Sequence, residues 1–532
     1  MDALSQDVRF LMISGPLLNR ITGWLAILLL SAAAPSSARG QMAPGETFAA
    51  GRLVVVYRGG TVPANADAIA AQAGARSVTH LRRFGLSALQ FQGDESAAIA
   101  RLKARPEVQA VLHDRMVTAH AVLLVSHTFS DAPGLPDGLL PMPIHRPVLP
   151  LAPLAPYDTG YTSPQGWAVV QSGGFGDSIP GGPATGPWNT TLGAGSRIAV
   201  LDSGVDSSHP DIAPNLELNL SEVNQEAVPS PCDDGSPQDQ SGHGTWTASL
   251  AAGALGPTTG QVIGVAPHAA LLNIKVLERM PGYGAGTLTQ CENGEAGGLL
   301  SWVLQGIQDA LANHADVISL SLGTLVDTST GDGAGWAAQF NSITYAAAQA
   351  GVTIVAALGN DGVDLSGGTL MELPAQSRGV LPVVAATNPA CAENLTTGAV
   401  CAAGPITRPY YSNYGATLNA IAAPGGSYPQ GSGAGVTGFV YGACSSGLTN
   451  TLDGLPANGR SFGCFGLGHT AYVQAIGTSA AAPLVAGAAA LLHAAHPGWT
   501  PAQIVAALRS TASTNPAMAE PELDLSAALA QN

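Results

Sequence analysis

A chain of 532 residues, 46% hydrophobic and only 11% charged, is longer than one typical domain and can bury a large core. Its formal net charge of −16 gives no expectation of a nucleic-acid partner, and no apolar run after the N-terminal region is long enough to serve as a membrane anchor. Abundant Gly (66) and Pro (38) with so few charges describe a compact, loop-rich exported protein rather than a cytosolic one.

The N-terminal region supports export. Residues 24–30 (WLAILLL) follow Arg20 and precede the small-residue stretch 31–38 (SAAAPSSA), the three-part pattern of a signal peptide expected within residues 1–40. Asp2 and Asp7 do not suit its charged leader, so translation is expected to start at Met12.

Residues 49–120 then predict a small module. Residues 51–58 (GRLVVVYR) form a strand pattern, 64–73 a helix, 77–81 and 86–92 two short strands, 95–105 a helix capped by Asp94, and 108–112 a last strand. The order β-α-β-β-α-β defines an independent α+β unit. It carries nine basic and five acidic residues, against eight and 28 in residues 121–532, so two parts of opposite sign could dock. Residues 121–156, with prolines at 133, 136, 141, 143, 147, 150, 153 and 156, read as an exposed linker.

From 157 to 532 continuous apolar runs alternate with helix-compatible segments: 197–201, 271–276, 317–322, 352–358, 380–386 and 418–422. This predicts an α/β domain whose doubly wound, mainly parallel sheet has both faces covered by helices. Residues 475–492 (AIGTSAAAPLVAGAAALL) predict a buried helix with Ser479 at its tip and Pro483 in its first turn. The Gly-rich stretch 425–468 reads as a surface excursion. Six cysteines without a CxxC point to disulfides. Fifteen pairings are open, and sequence proximity favours Cys391 with Cys401, Cys444 with Cys464, and Cys232 with Cys291.

A serine at a helix start can be a mere cap, or a nucleophile facing backbone N–H groups and the positive end of the helix dipole. The second reading needs a base and a group to orient it. Strand 197–201 runs into Asp202, and His243 lies between glycines in 241–245 (SGHGT). Asn360 follows the strand 352–358 and Gly359. The chain order Asp, His, Ser is a known order for a nucleophilic triad.

With these residues in view the chain resembles the subtilisin-like serine peptidases. The matching stretches, in that family's order, are IAVLDSGVDSSHPDI (198–212), SGHGT (241–245), IGVAPHAALLNIKVL (263–277), VISLSLG (317–323), IVAALGN (354–360), YSNYG (411–415), AAPGG (422–426), IGTSAAAP (476–483) and HPGWTPAQIVAAL (496–508). The resemblance implies a secreted endopeptidase with Asp202, His243 and Ser479 as triad and Asn360 as oxyanion donor. It further implies that Ser319, Leu320, Ser321, Leu322 and Gly323, with Gly359 and Glu372, bind substrate. Module 49–120 resembles that family's inhibitory propeptide, which implies a zymogen cut near His120 or in the linker. Its partners would be protein or peptide substrates and its own propeptide, with the protein a monomer.

The resemblance requires no cofactor for chemistry, and Asp211 matches a calcium ligand of the family, making calcium an optional structural ion. Glu372 falls on one wall of the primary specificity pocket and implies Arg or Lys before the cut bond. Three residues depart from the family pattern. Ala480 replaces the methionine usual after the nucleophile, and Trp246 and Ser249 replace a histidine and a glycine, which bears on helix packing there. The rivals are a processing enzyme dedicated to one or a few partners and a non-catalytic binding protein on the same scaffold, although no triad member is missing. An esterase of the α/β-hydrolase type would need its nucleophile within GxSxG and the order Ser, acid, His; the stretch around Ser479 is GTSAA, and the candidates run Asp, His, Ser.

Overall fold

The structure, a computed structural model, describes residues 48–120, 167–172, 186–225, 228–255, 260–387, 406–427, 439–445 and 462–531. The expected signal segment, the proline-rich linker, the Cys391–Cys401 pair and most of the 425–468 excursion lie outside the described residues.

The first module has the expected order: β1 (Phe48–Tyr57), α1 (Ala66–Gln72), β2 (Ala75–Leu81), β3 (Leu86–Phe91), α2 (Glu95–Lys103) and β4 (Val108–Ala119). Asp94 caps α2 by accepting the Ala97 N–H at 3.2 Å. The antiparallel strands lie in the order β2-β3-β1-β4. Alternation along β1 explains its continuous apolar run. Leu53, Val55 and Tyr57 pack with Ile69 and Leu102 of the module's own helices, whereas Val54 and Val56 join the core of the larger domain.

The larger domain comprises α3 (Trp167–Gln171), β5 (Arg197–Asp202), β6 (Leu216–Ser221), α4 (His243–Ala252), β7 (Ala270–Lys275), β8 (Leu277–Met280), α5 (Thr287–Glu292), β9 (Glu295–Leu299), α6 (Leu300–Ala312), β10 (Val317–Leu320), β11 (Leu322–Asp327) and α7 (Gly331–Gln349). It continues through β12 (Thr353–Ala357), β13 (Leu370–Leu373), β14 (Val380–Ala386), β15 (Ile421–Pro424), β16 (Val440–Ala443), β17 (Tyr472–Ala475), α8 (Thr478–Ala495), α9 (Pro501–Thr511) and α10 (Leu525–Leu529). Seven strands form an all-parallel sheet in the order β15-β14-β12-β10-β5-β7-β6. In β5, Ile198 and Val200 face the core containing α4 and α8, while Ala199 and Leu201 face α6 and α7. Both faces are buried, as the unbroken apolar runs require. Helix α8 is long and apolar enough to cross a membrane, the only such helix among the described residues, and its apolar surface is turned into this core.

Two expectations shift. The strand expected at 418–422 begins at Ile421, because Leu418 closes a turn on Gly415 and Asn419 takes a left-handed φ of 54°. Strand β4 runs seven residues past its expected end at Leu112, because its last part is paired on both sides by the larger domain.

Candidate active site

Asp202 ends β5, an inner strand next to the central β10, at the edge where the parallel sheet opens. Its Oδ1 lies 2.6 Å from His243 Nδ1 and accepts the Ser203 N–H at 2.7 Å, and its Oδ2 accepts the Thr247 hydroxyl at 3.0 Å. His243 opens α4, and Gly244 lets that helix start reach the turn after Asp202: a Cβ there would sit 2.1 Å from the Gly204 carbonyl oxygen. Asp239, fully buried, clamps the same turn. It accepts the N–H groups of Ser241, Gly242 and Thr245 and the hydroxyls of Ser203 and Thr245, all within 2.6–2.9 Å. Burial pushes its carboxyl above the ordinary value, against the lowering effect of those bonds. Among the described residues His243 Nε2 has no hydrogen-bond partner, so an imidazole donating from Nδ1 to Asp202 keeps Nε2 free to take a proton.

Ser479 is the second residue of α8 and is fully buried. Pro483 sits in the second turn of α8, not the first, and its missing N–H frees the Ser479 carbonyl. Ser321 occupies that acceptor: its hydroxyl donates to the Ser479 carbonyl at 3.0 Å, while the Ser479 hydroxyl donates to the Ser321 carbonyl at 3.1 Å. Asn360, after β12, has its Oδ1 fixed by the N–H and hydroxyl of Thr478, at 3.0 and 2.9 Å. This network also assigns the amide, since a backbone N–H can only donate.

The Asn360 Nδ2 donates to the backbone carbonyl of His120, and the Ser479 N–H donates to the same oxygen at 3.2 Å. The carbonyl at the end of the first module thus lies between two donors, beside a buried hydroxyl. Strand β4 reaches it as an added strand. Met116, Val117 and Thr118 pair with Leu299, Gly298 and Gly297 on one side, and Thr118 and Ala119 pair with Gly323 and Leu322 on the other. The His120 N–H donates to the Ser321 carbonyl at 3.1 Å. Val117 is fully buried there, a burial worth about 1.5–3 kcal/mol.

Of the expected substrate-binding residues, Ser321, Leu322 and Gly323 make this pairing. Ser319 and Leu320 do not: they lie in β10, bonded between β5 and β12 inside the parallel sheet. Gly359 has a φ of 103°, and its N–H donates to the Thr478 hydroxyl at 3.2 Å. Glu372, on β13, is 1% exposed and its Oε1 lies 3.2 Å from His120 Nε2. Asp211 Oδ2 accepts the N–H groups of Gln261 and Val262, both at 3.2 Å. Among the described residues, no cluster of three or more His, Cys, Asp or Glu side chains is arranged to hold a metal.

Trp246 and Ser249, the departures expected to disturb packing, are taken up by β16. The Trp246 indole donates to the Val440 carbonyl at 3.2 Å, and Ser249 Oγ accepts the Ala443 N–H at 3.0 Å. The Cys232–Cys291 and Cys444–Cys464 disulfides are both present. Sequence reading missed Asp239, Thr247 and Thr478 and the strands β8 and β9. Asp239, four residues before His243, offered a faint signal as an acid entering a helix start.

Comparison with known proteins adds sequence-level support. Residues 193–526 match the model of the subtilase family, and residues 35–112 match that of the fervidolysin N-terminal prodomain. The chain is 33% identical over 321 residues to a subtilisin from Bacillus pumilus, covering 60% of this chain and 85% of that protein. Fervidolysin from Fervidobacterium pennivorans, a keratinolytic enzyme related to subtilisin, shares the fold with a TM-score of 0.59 at 19% identity, covering 93% of this chain and 62% of its own. The epidermin leader peptide processing serine protease from Staphylococcus aureus does so with a TM-score of 0.59 at 18% identity, covering 90% and 99%. The chain belongs to the subtilase family, as a subtilisin-like serine peptidase preceded by a fervidolysin-type prodomain.

Proposed function

We propose that the chain is an exported serine endopeptidase made as a zymogen, whose first substrate is the end of its own prodomain. The observation that carries this reading is the His120 carbonyl oxygen, which accepts from both the Ser479 N–H and the Asn360 amide. Rotation about Ser479 χ1 turns its hydroxyl from the Ser321 carbonyl toward His243. His243 Nε2 takes the proton as Oγ attacks the His120 carbonyl carbon, and the charge formed on oxygen is met by the two donors. Collapse breaks the His120–Ala121 bond, His243 protonates the leaving amine, and water releases the acyl group. Asp202 holds the imidazole in the required tautomer and stabilises its charged form. The chemistry needs no cofactor.

Opposite charge at the docking surface supports the inhibitory role of the prodomain. Arg115 and His113 of β4 both lie 3.2 Å from Asp332 at the start of α7, and the Trp336 indole donates to the His113 carbonyl at 2.9 Å. Asp114 accepts the N–H of Ser301 at 3.1 Å and its hydroxyl at 2.6 Å, capping α6 from the prodomain. Export is supported by the leader pattern of residues 1–40 and by two buried disulfides, which persist in oxidising compartments.

Casein digestion tests the reading. A general endopeptidase gives many fragments, whereas a processing enzyme dedicated to few partners leaves casein nearly intact. Because Ala480, not methionine, follows the nucleophile, the same assay should retain its rate after hydrogen peroxide treatment. A loss in step with oxidant dose would contradict this.

A further inference from the structure

We propose that the pocket receiving the residue before the cut bond is built for a protonated imidazole, with Glu372 as the specificity-determining residue. The inference rests on the peptidase reading and names its substrate class: peptides with histidine before the scissile bond, cut fastest where that histidine is charged and Glu372 is ionised.

The pocket is shaped around the pair. Glu372 lies on β13 and is 1% exposed, and the imidazole of His120 enters with 8% exposed, its Nε2 3.2 Å from Glu372 Oε1. Gly323, on the neighbouring β11, makes the room: a Cβ there would stand 2.1 Å from Glu372 Oε1 and 2.6 Å from His120 Cε1. Among the described residues no group hydrogen-bonds that carboxylate oxygen, which leaves the ion pair with His120 as its compensation. A buried carboxylate without a cation is costly, so a neutral side chain in this place leaves the acid either uncompensated or forced to bind a proton. A histidine side chain is shorter than lysine or arginine, and the carboxylate stands at the depth its ring reaches.

The charges facing the pair come from each element packed against it. Asp361, on the turn after Asn360, adds a second negative charge, and the Ala357 backbone also favours the charged ring. Burial works against the charge on His120, but Glu372, Asp361 and Ala357 outweigh it and raise the pKa of the docked ring above its ordinary value. Burial pushes the Glu372 carboxyl up to about 7, partly opposed by His120, so the two share one proton through the neutral range. A free histidine loses its proton near about 6.5. A carboxyl titrating at about 7 is itself neutral in acid. Docking of His120 as an ion pair is therefore strongest in the neutral range, weakening below it as Glu372 takes up a proton and above it as His120 loses one. Lysine stays charged over the whole range and lacks the loss on the alkaline side.

The test uses the processed enzyme and the octapeptide VTAHAVLL, residues 117–124, with versions carrying Leu or Lys in place of His120. At pH 7 kcat/KM for the His peptide should exceed that for the Leu peptide at least about tenfold, and the His-to-Lys ratio should fall about tenfold between pH 5.5 and 8.5. Glu372→Gln should flatten both ratios. Equal cleavage of the His and Leu peptides at pH 7, or a His-to-Lys ratio independent of pH, overturns the proposal, and both readings need only the unaltered enzyme. Failure to cut any of the three peptides or casein would instead overturn the peptidase reading on which the proposal rests.

Discussion

Replacing Ser479 by alanine should lower kcat by a factor on the order of 10⁶, the loss seen when a subtilisin is deprived of its nucleophile. Ser479 Oγ is the hydroxyl beside a carbonyl already held by two donors, and in the proposed mechanism its removal would leave His243 with no proton to take. The fold should survive, because Ala480, Ala481 and Ala482 already fill fully buried positions in the first turns of the same helix. The hydroxyl's one bond, to the Ser321 carbonyl, is not the only use of that acceptor, which also receives the His120 N–H. Purified Ser479→Ala should thus melt near the unaltered precursor and release no measurable peptide from casein.

Asn360→Ala should cost about 100-fold to 1,000-fold in kcat, the range seen for the corresponding amide in a subtilisin. Its Oδ1 is pinned by two bonds from Thr478, so the amide is aimed before any charge develops. The bond it makes strengthens as the carbonyl oxygen becomes an oxyanion, and its loss should fall on kcat with little change in KM. Steady-state kinetics on one peptide measures this. A rise in KM at constant kcat would assign Asn360 to substrate binding instead.

The candidate site was largely legible because its residues stand at strand ends and helix starts marked by small neighbours. Asp202 follows an unbroken apolar strand, His243 is flanked by glycines, and Ser479 opens an alanine-rich helix. What stayed hidden depended on distant partners. Strands β8 and β9 are short, and Gly297 and Gly298 carry no side-chain alternation to read, yet β9 flanks the docked strand. The extension of β4 past Leu112 is paired by β1 as far as Arg115 and beyond that by β9 and β11, so its last part depends on the larger domain. Ser319 and Leu320 share an apolar run with Leu322, and nothing local marks Ser321 as the residue where the parallel sheet ends and substrate pairing begins. Trp246 and Ser249 look like defects in α4 until β16, nearly two hundred residues onward, supplies their partners.

The central claim is that β4 lies in the cleft as a substrate, with the His120–Ala121 bond at Ser479. Intact mass measurement of the fragment released when the purified precursor is allowed to process itself tests this most directly. The unaltered chain should release a fragment ending at His120, and Ser479→Ala should release none. A first cut elsewhere, or an uncut chain that digests casein, would contradict that claim.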